Sequence, residues 1–381
     1  MRGKKLLFSV FWAIACGVIA SLSAAHAAPA ITADAAILIE ASTGRVLYQK
    51  NADEHMYPAS TTKMMTAILA LERADMKDVV TVSSRAAMVE DTYLEIGDKL
   101  LMRDMLALLM LESDNGAAAA IAEHMAGSDA AFAAEMNKKA KSLEAKSTNF
   151  MNPHGLPDRR HFSTAHDLAR IAQYGMQSKA FREIVGTENS VVIWQYPQKQ
   201  AVFHNTNNLL RSRPTETTGI KTGYTRAAGG CLAASAKRGT TELIAVVLHS
   251  ASGVDRFSDA QKLLDDGFSR VHMEKGPTKA DCRRNIWVYG GTSASVSVSP
   301  IKDVYYPLLE GERVQDFSIH YELPRIMEGG IQAGDHIGDL IVRKNGQEIC
   351  RIPMLAEESV DKGLNVKSLF AGIFAGLGIA A

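Results

Sequence analysis

Apolar and polar positions divide the chain into four stretches. The first is an apolar run over residues 6–20, set behind Arg2, Lys4 and Lys5 and followed by small residues up to Ala25-His26-Ala27. A basic start, an apolar run and an A-x-A site predict a secretory signal peptide over 1–27, with a mature chain beginning near Ala28; an uncleaved membrane anchor is the alternative reading.

The second stretch mixes helical and strand patterns. Two short apolar runs around Ser42-Thr43-Gly44 predict a β-hairpin over 35–51. Residues 60–73 hold many helix formers and neither Pro nor Gly, so a helix begins at Ser60, just after Pro58-Ala59. Residues 100–111 are apolar except Arg103 and Asp104, which predicts a largely buried helix. Further helices are expected over 115–125, 130–143, 164–176 and 256–268, the third opening on a Thr164 cap with Asp167 three residues on. Residues 191–194, 219–224, 230–236 and 243–248 have the character of strands.

Composition changes near Gly276-Pro277. Strand and turn signals then repeat: Ile286-Trp287-Val288-Tyr289, the alternating residues 293–299, and two apolar runs flanking Asn345-Gly346, a strong hairpin signal. This predicts an all-β unit over 275–358. The last stretch is a linker and tail, 359–381. Residues 366–381 are apolar and uncharged after Lys367, with Leu369, Phe370, Ile373, Phe374 and Leu377 on one helical face. The segment is short of the ~20 residues of a membrane span. It is expected to lie at a membrane interface, where its five large residues contribute about 5–10 kcal/mol if fully buried, or else to pack on the β unit.

Composition adds little to this picture. The 381 residues carry 42 Lys plus Arg and 42 Asp plus Glu, and this balance gives no support for nucleic-acid binding. Beyond the signal segment there are three cysteines. Cys231 lies in a strand pattern and reads as a small core residue, while Cys282 and Cys350 are candidates for a disulfide in an exported protein.

Candidate chemistry lies in three tripeptide-scale motifs in a fixed order: Ser60-Thr61-Thr62-Lys63, Ser113-Asp114-Asn115 and Lys221-Thr222-Gly223. If Ser60 opens a helix, Lys63 lies on the same face and reaches its hydroxyl. A serine hydroxyl is a weak nucleophile until a base removes its proton. Lysine serves as that base only with a lowered pKa, which burial, the helix N-terminus and a second cation, Lys221, would favour. Ser113 is suited to relay a proton, and Asn115 to hold a substrate amide and Lys63. Lys221 and Thr222 on a strand edge suit the carboxylate of an extended peptide, and Gly223 permits close approach of its backbone.

The trio is found together in penicillin-binding proteins and class A β-lactamases. At these residues the chain resembles the low-molecular-weight penicillin-binding proteins, the serine D-alanyl-D-alanine carboxypeptidases. The likeness includes Pro58-Ala59 before the first motif, Leu111-Glu112 before the second, Asn152-Pro153-His154-Gly155-Leu156-Pro157-Asp158, and Thr218-Gly219-Ile220 before the third. It implies an α+β fold: a β-lactamase/transpeptidase-like catalytic domain over 28–274, with an antiparallel sheet flanked by helices, followed by the small all-β domain. It implies Ser60 as acylated nucleophile and Lys63 as base, with Ser113, Asn115 and Lys221 completing the set. The N–H groups of Ser60 and Tyr224 would form the oxyanion hole, and Arg256 would help Thr222 and Gly223 bind substrate. The implied substrates are peptidoglycan stem peptides ending in D-Ala-D-Ala, with β-lactams as covalent inhibitors, no cofactor or metal, an extracytoplasmic location and a membrane-associating tail.

Other readings compete. A class A β-lactamase would carry E-x-x-L-N, whereas Glu144 is followed by Ala145-Lys146-Ser147-Thr148. A D,D-endopeptidase would use the same site on a cross-link but generally lacks the second domain. A peptidoglycan-binding scaffold without turnover, and a zinc enzyme built on His154, His161 and His166, are the remaining alternatives.

Overall fold

The computed structural model describes residues 28–363; the expected signal peptide and the apolar tail over 366–381 lie outside the described residues. The central sheet has five antiparallel strands: β1 Ala35–Glu40, β2 Val46–Lys50, β3 Thr217–Thr225, β4 Gly229–Arg238 and β5 Thr241–Ser250. Their order is β2-β1-β5-β4-β3, so β3 is an edge strand.

Alternation places Ile37, Ile39, Ile244 and Val246 in one core and Ala36, Leu38, Leu243 and Val247 in another. The first core is completed by helices α1 Lys63–Arg73, α2 Asn115–Ala126 and α3 Ala165–Gly175, of which α3 packs directly on β1 and β5; on the second face lies α4 Asp255–Arg270, through Leu263 and Leu264. The sheet is therefore buried on both sides, which explains why β4 and β5 read as nearly continuous apolar runs. The run Ala117–Ala122 lets the first two turns of α2 sit fully buried among its neighbours. Thr164 caps α3 by accepting from the Asp167 N–H at 3.0 Å. Asp167 does not reciprocate. Its carboxylate takes Ser147 N–H and Thr148 Oγ1, so the capping box is only half made.

Two expectations change in detail. Ser60 lies in a 3-10 turn, Ala59–Thr62, and the α-helix proper starts at Lys63. The expected 100–111 helix is composite. Lys99–Leu101 is a strand paired with Val79–Thr81, Met102–Ala107 is α-helical, and Leu108–Glu112 is a π turn. All of these states bury the same apolar side chains, so hydrophobic pattern alone does not separate them.

Beyond residue 276 a six-stranded sheet encloses its own core, including Val288, Val298, Leu340 and Ile352. Asn345 and Gly346, with φ of 49° and 85°, turn the hairpin between His336–Lys344 and Gln347–Ala356, as a type I′ turn requires. The Cys282–Cys350 disulfide is not formed: both thiols are free and buried in this core, and Cys231 is free and buried in the central sheet. The second unit is joined to the first by polar pins. Arg45, in the β1–β2 turn, makes paired bonds of 2.6 and 2.7 Å to Glu312 and also donates to Pro307 O, while Lys344 approaches Glu312 from its own side.

Candidate active site

Two turns and the edge strand converge on one cleft of about 700 Å³. Its lining includes Ser60, Ser113, Asn115, Thr222, Gly223, Tyr224 and Arg256, seven of the nine residues singled out above. The other two, Lys63 and Lys221, lie fully buried next to it.

The Ser60 turn is held from three sides. Thr61 Oγ1 donates to Pro58 O at 2.6 Å. His161 Nδ1 accepts from Met151 N–H, which leaves its Nε2–H to donate to Thr62 Oγ1 at 2.9 Å. Burial above all holds His161 at a pKa of about 4, so this neutral tautomer persists at ordinary pH. The third support is Gly155, at φ 89°: a Cβ there would lie 1.9 Å from Ala59 O. No other residue lets the 155 backbone approach the turn so closely.

Lys63 Nζ donates to Ser60 Oγ at 3.0 Å, Asn115 Oδ1 at 2.6 Å and His154 O at 2.8 Å. All three ammonium protons thus have acceptors, and a neutral amine keeps a lone pair for the serine proton. Burial lowers its pKa to about 7, with Asp114 and Asp91 pulling weakly the other way. Burial first, then Lys63 and Arg256, hold Lys221 well below the usual lysine range. Burial is the leading cause at Lys63 as well, so it is burial above all that tunes the base.

The second motif is positioned by the π turn. Ser113 follows it at φ 67°, and Asp114 then caps α2 by accepting from Ala117 N–H at 2.6 Å. The buried Asp114 carboxylate also takes Thr92 Oγ1 at 2.9 Å and Tyr93 N–H at 2.7 Å, which ties the 90–93 loop to the motif. Asn115 completes that tie, its Nδ2 donating to Glu90 O at 2.8 Å and its N–H to Asp91 O at 3.1 Å.

On the third side, a Cβ at Gly223 would stand 3.0 Å from Ser60 N and 3.1 Å from Ala59 Cβ, so β3 is packed directly on the serine turn. Thr222 Oγ1 shares a 2.6 Å hydrogen bond with Thr206 Oγ1. Arg256 donates to Gly223 O at 2.8 Å, which fixes its guanidinium at the end of β3.

Sequence reasoning missed the roles of Asp114, Thr206, His161 and the His154 carbonyl. Asp114 sat inside a quoted motif, and His154 in a quoted loop, but neither carried a visible partner. His154, His161 and His166 have separate attachments: His154 Nε2 faces Asp129 at 3.7 Å, His161 holds Thr62, and His166 meets Asp53 at 3.0 Å. Among the described residues no group of three His, Cys, Asp or Glu is placed to hold a metal ion. Glu144 is exposed and paired with Lys146, outside the cleft lining.

A buried lysine on a serine at a helix start, a second buried lysine on an edge strand, and an open peptide-sized cleft between them define a serine hydrolase of the penicillin-recognising class. The family profile described as D-alanyl-D-alanine carboxypeptidase matches residues 22–252, and that of the penicillin-binding protein 5 C-terminal domain matches residues 274–362. The chain belongs to the serine D-alanyl-D-alanine carboxypeptidases, the low-molecular-weight penicillin-binding proteins. It is 33% identical over 337 residues to the D-alanyl-D-alanine carboxypeptidase DacF of Bacillus subtilis, covering 87% of this chain and 86% of the relative. The structure of penicillin binding protein 5 from Haemophilus influenzae aligns with a TM-score of 0.67 at 27% identity, covering 88% of this chain and 99% of that one. A D-alanyl-D-alanine endopeptidase of Pseudomonas aeruginosa is 31% identical over 237 residues, but covers only 61% of this chain and 76% of its own.

Proposed function

We propose that the chain removes the terminal D-Ala from peptidoglycan stem peptides through an acyl-enzyme on Ser60. The carrying observation is the fully buried Lys63 amine, 3.0 Å from Ser60 Oγ and with a pKa of about 7. In the neutral form it takes the Ser60 proton as Oγ attacks the penultimate D-Ala carbonyl. The N–H groups of Ser60 and Tyr224 stabilise the resulting oxyanion. The C–N bond then breaks, the leaving amine takes a proton from Lys63 by way of Ser113, and D-Ala departs. Water, deprotonated by the same base, hydrolyses the ester. Asn115 holds the substrate amide, and Thr222 and Arg256 receive the terminal carboxylate, with Lys221 beneath them. Strand pairing along β3 would align the peptide, which fits an edge strand beside the nucleophile.

β-Lactams would acylate the same serine. The basic, apolar and small-residue start supports export with cleavage near Ala28, and the change of composition near Gly276-Pro277 supports a catalytic domain over 28–274 and a β-rich domain over 275–358. The apolar residues 366–381 support peripheral membrane association. The endopeptidase likeness covers a shorter part of this chain, so the carboxypeptidase reading is preferred.

Labelling with a fluorescent penicillin, followed by peptide mapping, tests the nucleophile. One adduct per chain is expected, on the peptide containing Ser60, absent in Ser60→Ala and slow to form in Lys63→Met. An adduct on another residue would sink the assignment.

A further inference from the structure

The β-rich unit carries an uncovered aromatic face. In the strand Arg284–Tyr289, Ile286 and Val288 point into the core, so Trp287 and Tyr289 stand together on the outer face, each 43% exposed. Their neighbours leave the rings open. Trp287 pairs with the small Ser295 on one side and with Ile326 on the other, and Tyr289 pairs with Glu328. Charges around the face balance. Glu328 is paired with Lys362 at 3.0 Å, and the exposed Arg325 and Asp361 carry opposite signs.

This face lies at the end of the unit away from the catalytic domain. The strand Gln347–Ala356 begins opposite Lys344, which meets Glu312 at the Arg45 joint. It runs away from that joint, passing Met354 opposite Pro300 and Ala356 opposite Val298. The chain continues to Lys362, bridged to Gly291, and the Gly363 N–H donates to Gly290 O at 3.0 Å, one residue beyond Tyr289. Residues 364–381 therefore leave from beside the aromatic face. Leu369, the first residue of the tail's apolar face, is six positions on, at most about 22 Å even at full extension. A tail lying in a membrane interface thus holds this end of the β unit close to the lipid surface.

Trp and Tyr join an apolar ring to a polar tip, and both collect at the headgroup level of membranes. We propose that the Trp287–Tyr289 face is a second lipid contact, seated at the headgroup level beside the tail. This rests on the peripheral-membrane reading of residues 366–381 and extends it from the tail to a folded surface. Because the nearby charges balance, apolar partition rather than attraction to anionic lipid holds the face down.

The test uses the chain beginning at Ala28, which holds two tryptophans, Trp194 and Trp287. Trp194 is buried in the catalytic domain and bonded to Asp98 at 2.7 Å, so the exposed indole reports alone on its surroundings. Vesicles of phosphatidylcholine and phosphatidylglycerol with brominated acyl chains should quench the Trp287 emission, shift it to the blue and remove its access to iodide. A Trp287→Thr, Tyr289→Thr variant should bind the same vesicles about tenfold more weakly, from the ring area left dry. Its D-Ala release from a soluble pentapeptide should match the wild type, which checks the fold; if the variant misfolds, the quenching of the wild type decides. Bound chain with Trp287 unquenched and open to iodide, or unchanged affinity in a folded variant, would overturn the second contact and leave the tail reading intact. Shielding of Trp287 from iodide before vesicles are added would show the face covered by the tail or a second copy, and would also overturn it. No binding of the wild type to vesicles would overturn the tail reading and the second contact together.

Discussion

Lys63 is the group whose titration should be visible in both rate and stability. Its pKa of about 7, against the ordinary 10.5, means that about a tenth of the amine is neutral at pH 6 and about nine-tenths at pH 8. Acylation by a chromogenic β-lactam, followed by stopped flow, should therefore rise about tenfold between these values and then level off. Stability carries the same signature. Between about pH 7 and 10.5 the unfolded chain holds a proton on this lysine that the native chain lacks, so unfolding becomes harder as pH rises, by up to about 1.4 kcal/mol per unit. The contribution is unfavourable: fully felt below pH 7 and gone above 10.5. Lys63→Met removes it, whereas Lys221 and the tyrosines are present in both proteins and largely cancel. Urea unfolding at pH 8 and 9 should show the wild type gaining about 1.4 kcal/mol on the variant. Parallel pH–stability lines, or an acid limb of acylation near pH 9 or above, would refute the buried neutral lysine.

The other predictions are structural. Gly155→Ala should displace the serine turn, lowering acylation by tenfold or more and stability by about 1–3 kcal/mol, read by stopped flow and urea unfolding; wild-type rates would show that the turn does not need this contact. Asp114→Ala removes a helix cap and two loop tethers, at about 2–4 kcal/mol, and should raise KM more than it lowers kcat. Arg45→Ala should cost about 1–3 kcal/mol and make the joint to the β unit more susceptible to limited proteolysis. Burial raises Glu312, but Arg45, the Leu309 N–H and Lys344 outweigh it and hold the carboxyl at about 2. That contribution is present above pH 4.5 and is lost as pH falls towards 2.

The parts of the molecule legible in sequence are those governed by local pattern. Two short apolar runs around a Gly-containing turn located β1 and β2, strand-like apolar runs located β4 and β5, and Asn345-Gly346 located its hairpin because both positions need positive φ. The site was legible because the chemistry needs a few residue types at fixed offsets, as in Ser60 and Lys63. The rest depends on long-range contacts. Nothing local shows that the His154 carbonyl will meet Lys63 from 91 positions away, or that Asp114 will clamp Thr92 and Tyr93. The breakdown of residues 99–112 into strand, helix and π turn was hidden for a similar reason. It is set by pairing with Val79–Thr81 and by the αL exit at Ser113, whereas the side-chain pattern is uniformly apolar. The free Cys282 and Cys350 show the limit of arguing from compartment alone, since pairing is decided by geometry.

The central claim is most directly tested by D-Ala release from a pentapeptide ending in D-Ala-D-Ala, comparing the chain that begins at Ala28 with its Ser60→Ala variant. Release by the first and none by the second is the predicted result. Equal release from both would contradict the account, because the reaction would then run without the serine around which the lysine, the edge strand and the loop are arranged.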